Sequence, residues 1–244
     1  MKEYTKQFSS ISIADIPSVG GKNASLGEMC NTLKGKGIPV PDGFAATAFA
    51  FEEFLTTNSL HAPLRELMQL LDHKQYTNLV LIGEKARSLI LAGKFSPSFI
   101  QAIKSAYQQL SGDSPISVAV RSSATAEDLP QASFAGQHES YLNITGDAAL
   151  MRAIKLCYAS LYTDRAIKYR EDNGFQHEKV SLSVGVQKMV RSDKAAAGVA
   201  FTLEPESGFR DIVLISGVWG LGENIVQGTV TPDEFYLFKP TLMA

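Results

Sequence analysis

The chain has 244 residues, 45% of them hydrophobic and 20% charged, with a formal net charge of −2 at pH 7. That is the composition of an ordinary folded domain, long enough for one large domain or two small ones. It excludes the broad basic footprint that nucleic acid requires, so any bound anion must be gripped by a few placed basic side chains.

The opening MKEYTKQF is too polar for a signal peptide, and no apolar run reaches membrane-spanning length. A cytoplasmic protein with no membrane partner is therefore expected. Cys30 and Cys157 lie far apart on apolar helical patterns. A disulfide between them stays open, but the favoured reading is two buried free thiols.

In chain order, the first predicted helix carries Leu26, Met29, Cys30 and Leu33 on one face and stops at Gly35 and Gly37. Before it stands Val19-Gly20-Gly21-Lys22. Two glycines at a helix start let backbone amides approach a phosphate, and Lys22 adds a full charge there. The P-loop pattern fails, because the position six before Lys22 is Ile16. Alone, the segment reads as a tight turn with a solvated lysine.

Further amphipathic segments follow at Phe51/Phe54/Leu55, Leu64/Leu67/Met68/Leu71 and Leu79/Ile82/Ala86/Leu89. Ile100/Ile103/Tyr107/Leu110 begins at a Ser96-Pro97 cap. After Gly112, Ile116, Val118 and Val120 alternate, which predicts a strand ending at Arg121 and a polar loop from Ser122 to Gln131. Arg121 there could fork two donors onto phosphate oxygens, or simply pair with Glu127 or Asp128. The small-residue loop through Phe134-Ala135-Gly136 suits a phosphate chain but is weak by itself.

A strand through Tyr141–Ile144, a helix from Asp147 bearing Leu150, Ile154, Cys157 and Leu161, and an alternating strand Val180/Leu182/Val184/Val186 come next. The last ends in Gln187-Lys188-Met189-Val190, whose backbone could read an adenine edge or belong to a plain core strand. Gly198 to Thr202, Ile212 to Ile215 and Phe235 to Phe238 predict a strand-rich second part. Gly217 to Gly228 is glycine-rich but lacks the dinucleotide pattern, since Ile225 stands three after Gly222. Glu223 and Asn224 there could meet a ribose or a magnesium-bound phosphate, or form an ordinary acidic helix start. Segregated helices and strands predict an α+β fold, with a helical N-terminal part and mostly antiparallel sheets. A boundary near residues 190–194 divides it into lobes 1–190 and 191–244.

Taken in order, VGGKNASLGEM, VPDGFAATAFAFEEFL, AVRSSATAEDLPQASFAGQHESYLNI, VGVQKMV, GVAFTLEPESG and GLGENIVQGTVTPDEFYLFKPT resemble the N-terminal nucleotide-binding domain of the phosphoenolpyruvate synthase (pyruvate, water dikinase) family. The resemblance implies an ATP-grasp-like domain that uses ATP and Mg2+. It also implies a reaction in which ATP, pyruvate and water give phosphoenolpyruvate, AMP and phosphate through a phosphohistidine. By motif position, Lys22 and Arg121 would hold phosphate oxygens and serve catalysis, with Gly136 and Ser140 along the phosphate chain. Gln187, Met189 and Val190 would face the adenine. Thr202, Glu223 and Asn224 would contact ribose, phosphate or magnesium.

The family's distal magnesium-binding acids and Gln-x-Arg segment would follow Ala244, as would its phosphohistidine and pyruvate-binding domains. The metal ligands stay unassigned, and a C-terminally truncated chain that does not turn over alone is expected. Rifampicin phosphotransferase, built from similar blocks, and a non-catalytic nucleotide-binding module are the alternatives. Retention of both Lys22 and Arg121 favours an enzyme over a sensor.

Overall fold

The computed structural model describes residues 3–125, 128–129, 132–133 and 139–242. By compactness the chain divides into two units, Met1–Met189 and Val190–Ala244.

The first unit is built on a five-stranded sheet in the order β1-β2-β7-β3-β6. Its strands are β1 (Thr5–Gln7), β2 (Gly43–Ala46), β3 (Val118–Ala124), β6 (Ser140–Ile144) and β7 (Leu182–Lys188), and every pairing is antiparallel. Two short strands, β4 (Asp128–Leu129) and β5 (Ala132–Ser133), pair with each other. Among the described residues the α-helices of this unit are α1 (Ile16–Leu33), α2 (Ala48–Thr57), α3 (His61–Gln69), α4 (Leu79–Ala92), α5 (Pro97–Ser111), α6 (Asp147–Ser160) and α7 (Asp164–Asp172). The fold class is α+β, as the segregation of patterns predicts.

Side chains alternate across a strand, and that period assigns the two faces of the sheet. On one face Phe44 and Ala46 of β2, Val118 and Val120 of β3, and Leu182, Val184 and Val186 of β7 join the large core. That core also takes in Phe51, Phe54, Ile103, Ile154 and Tyr158 from the helices. Phe51 and Tyr158 meet edge-to-face with ring centroids 4.8 Å apart. Burying each such ring contributes about 1.5–3 kcal/mol. On the other face Ala45 joins Phe8, Ile11, Val19, Ala24 and Cys30 in a smaller cluster against α1. The facing residues of β3 and β7 are there small or polar: Ala119, Arg121 and Ser123 opposite Gln187, Gly185 and Ser183.

Several details depart from the sequence reading. The strand predicted to stop at Arg121 continues to Ala124, with Ser122 and Ser123 buried. Small hydroxyl side chains imitate a polar loop in sequence, yet β7 pairs with them as far as Ala124–Leu182. Strand β7 is buried from Leu182 to Gln187 on both faces, because Ser183 and Gly185 are small enough for α1 to cover. Helix α7, capped by Thr163 Oγ1 accepting from the Ala166 N–H at 3.3 Å, had no sequence signal strong enough to predict it. The Ser96 cap is as expected, its Oγ accepting from the Phe99 N–H at 3.2 Å. Cys30 and Cys157 are free and buried, and burial raises both thiol pKa values.

Arg170 on α7 is fully buried, and burial pulls its pKa down to about 10. Its Nε donates to His177 Nδ1 at 2.8 Å, and Glu171 bridges His177 and His73, each at 2.6 Å. Burial, followed by the Arg170 charge, holds His177 below the ordinary histidine value. Burial pushes Glu171 upward, but hydrogen bonds with His73 and His177 outweigh it and leave its pKa lowered. A depressed histidine gives stability that is complete above its unfolded pKa of about 6.5 and is lost as pH falls through the folded value. Glu171 adds a further loss on the acid side, below about pH 4.3. A lower melting temperature is therefore expected at about pH 5.5 than at about pH 7.5, with a flatter slope in His177→Gln. Equal melting temperatures at both pH values would contradict this.

The second unit is a meander of β8 (Ala196–Phe201), β9 (Ile212–Trp219) and β10 (Asp233–Phe238), with short helices α8 (Glu223–Val226) and α9 (Lys239–Leu242). Trp219, Phe235, Tyr236 and Phe238 are exposed on it. Among the described residues no helix is long and apolar enough to cross a membrane.

Candidate functional site

Helix α1 is interrupted at Gly20, whose φ of 73° and ψ of 163° lie in a region essentially closed to other residues. The helix restarts at Gly21. A helix start leaves its first N–H groups without intrahelical partners and carries partial positive charge. Gly20 lies so close to β3 that a Cβ there would meet Ser123 Oγ at 2.3 Å and the Ser123 carbonyl oxygen at 2.7 Å. The restart is thereby pressed onto the sheet beside Arg121.

Between this helix start and the sheet lies a cavity of about 310 Å³, near the lower end of small-ligand pockets (~300–1,000 Å³). Gly21, Lys22, Asn23 and Ser25 line it from α1, Arg121 and Ser122 from β3, and Gly185 and Gln187 from β7. Phe8, Leu26 and Met29 make its wall partly apolar. Arg121 stands directly across from Gly185 in the ladder, so no side chain opposes it there. Its surroundings withdraw water from the guanidinium and lower its pKa, but arginine stays cationic. Two cations and a helix start thus converge on one concavity, and that arrangement attracts and orients a polyanion.

Of the residues singled out in sequence, Lys22, Arg121 and Gln187 come together here. Gln187 Nε2 donates to the Pro41 carbonyl at 3.1 Å, so its amide also holds the segment before β2. Ser140 opens β6 as the ladder partner of Arg121 and is exposed, outside the cavity lining. The Met189 N–H donates to the Ser117 carbonyl at 3.0 Å. Gly136 lies outside the described residues.

Val190, Thr202, Glu223 and Asn224 belong to the second unit and are exposed. Thr202 follows β8, and its carbonyl accepts from Lys239 Nζ. Glu223 opens α8 and accepts from Gln227 Nε2 at 2.9 Å, while the Asn224 carbonyl accepts from the Thr229 N–H at 3.1 Å.

Sequence reasoning missed Asn23 and Gly185 as parts of this site. Asn23 is 2% exposed, and its Nδ2 donates to the Val19 carbonyl at 2.9 Å and to Ser183 Oγ at 3.0 Å. A Cβ on Gly185 would fall 2.2 Å from Asn23 Oδ1. A glycine inside an otherwise well-formed strand pattern is the signal that could have found this close approach.

The family model described as the pyruvate phosphate dikinase AMP/ATP-binding domain matches residues 16–244. The chain is 52% identical over 236 residues to a phosphoenolpyruvate synthase of Aquifex aeolicus, covering 96% of this chain and 28% of that protein. It is 50% identical over 238 residues to the phosphoenolpyruvate synthase of Escherichia coli, covering 97% of this chain and 30% of that protein. Against that of Pseudomonas aeruginosa it is 49% identical over 245 residues, covering 100% of this chain and 31% of that protein. The chain thus spans less than a third of the length of these relatives.

Proposed function

The chain belongs to the pyruvate phosphate dikinase AMP/ATP-binding domain family, and we propose that its first unit holds the phosphate chain of ATP at the Lys22–Arg121 cavity. The observation that carries this reading is the convergence of Lys22, Arg121 and the helix start after Gly20 on one cavity with an apolar wall. Phosphate oxygens would take the cationic end, and Phe8, Leu26 and Met29 offer packing for the base or ribose. Gln187, Met189 and Val190 would serve the adenine side. Thr202, Glu223 and Asn224 would serve the ribose or phosphates, Gly136 and Ser140 the phosphate chain.

In the ATP-grasp reading, Val190–Ala244 is the start of a second lobe. Within a longer protein of the relatives' length, the domain would supply phosphoryl groups to a carrier histidine. Pyruvate, ATP and water would then give phosphoenolpyruvate, AMP and phosphate, with the histidine and pyruvate domains as partners in the same polypeptide. Lys22 and Arg121 would neutralise charge that grows on the transferring phosphoryl group. None of the relatives named above carries the name of an antibiotic phosphotransferase.

Among the described residues the cavity lining contains no carboxylate, and those residues do not by themselves fit a magnesium ion. Mg2+ would enter with the nucleotide's phosphate oxygens and water.

Calorimetric titration of the chain with ATP, AMP and adenosine tests the reading. Affinity is expected to fall in that order, because the cavity's charge addresses phosphates. Equal affinity for ATP and adenosine, or no binding of either, would sink it. For the full-length protein, phosphoenolpyruvate formation from pyruvate and ATP is expected, and its loss in Lys22→Ala.

A further inference from the structure

We infer that Asn23 is a positioning residue whose buried amide, latched to Ser183 and to the Val19 carbonyl, sets the direction of the helix start that presents Gly21 and Lys22 to the cavity. This inference rests on the phosphate-binding reading of that cavity.

A break at Gly20 gives the chain two soft dihedrals between the first turn of α1 and the rest of the helix. Glycine visits many φ/ψ regions, so sequence alone does not hold the break at one angle. Something must select it. Asn23 spans the break: it sits three residues after Gly20, while its Nδ2 reaches back to the Val19 carbonyl on the other side.

The same Nδ2 fixes the helix to the sheet through Ser183 Oγ, which in turn donates to the Ala46 carbonyl at 2.7 Å. The chain of bonds therefore runs from α1 through β7 to β2. All its side chains are buried, with Asn23 2% and Ser183 0% exposed, so water does not compete for these bonds. Gly185 completes the arrangement by leaving room for Asn23 Oδ1.

Lys22 and Asn23 are adjacent, one exposed at the cavity and the other buried beneath it. Rotation of the helix start about Gly20 would swing both together. Phosphate recognition by backbone N–H groups depends on direction, so a loosened latch costs affinity for phosphate in particular.

The test is calorimetry with ATP and adenosine on the parent chain and on Asn23→Ala, Ser183→Ala, the double variant and Lys22→Ala. Ser183 lies outside the cavity lining and gives a milder perturbation should Asn23→Ala fold poorly, which circular dichroism reports. Each single latch variant is expected to lose about three- to tenfold in ATP affinity, the worth of one or two hydrogen bonds. Adenosine affinity is expected to stay unchanged in Ser183→Ala and to fall less than ATP affinity in Asn23→Ala, and the double variant to lose less ATP affinity than the product of the single losses. A purely structural role would lower both affinities in parallel, and that result overturns the inference. So does ATP affinity equal to the parent's in folded Ser183→Ala and Asn23→Ala while Lys22→Ala still loses it. If Lys22→Ala also binds ATP as the parent does, the phosphate reading itself falls.

Discussion

Arg121→Ala is expected to weaken ATP binding by about 30-fold or more, the loss that follows removal of one partner from a desolvated charge pair. The guanidinium projects from the middle of β3 opposite Gly185, beside Lys22, in surroundings that already withdraw water from it. A planar fork of donors grips two phosphate oxygens at once, and the ladder position holds that fork in place. Arg121→Lys is expected to recover only part of the loss, because an ammonium keeps the charge without the fork. The melting temperature should hardly change, since the side chain is exposed to the cavity rather than packed in a core. Calorimetry on the three proteins decides it. Unchanged ATP affinity in Arg121→Ala would remove Arg121 from the site.

Gly20→Ala is expected to destabilise the first unit by about 3 kcal/mol or more. Two costs combine. The backbone at φ 73° and ψ 163° disfavours any Cβ, and the added methyl would meet the Ser123 carbonyl at 2.7 Å and the Ala124 carbonyl at 2.9 Å. Those carbonyls belong to a central strand and cannot step aside as a flexible side chain would. For a chain of this size the melting temperature should fall by about 6–12 °C. Gly35→Ala is the matched control, because nothing lies within 4 Å of the position its Cβ would take. A melting temperature within about 2 °C of the parent's in Gly20→Ala would show that the helix break relaxes freely.

The latch, the arginine and the glycine describe one design seen from three sides. A helix is broken so that its new start faces a cavity, and strand residues too small to intrude leave room beneath it. In the proposed reading, stability and binding are coupled at Gly20, whereas Arg121 would serve binding alone.

The sequence by itself determined the elements with strong periodicity. Leu150, Ile154 and Cys157 marked α6, and the Ser96-Pro97 cap marked α5 to the residue, because these signals come from one turn of chain. It also determined the family, since ordered motifs carry more information than any one of them, and it named Lys22 and Arg121. It misread Ser122 and Ser123 as loop and overlooked α7, where polar residues conceal elements held by their neighbours. Only the tertiary structure decided that Arg121 and Gly185 share a rung, that Asn23 reaches Ser183, and that Gly20 breaks a helix against β3. The reason is separation along the chain. Lys22, Arg121 and Gln187 lie on three elements brought together by antiparallel pairing and helix packing, and local propensity holds no record of that register. What opened as a lysine after two glycines is, in the folded chain, one wall of a cavity closed by a strand far away in sequence.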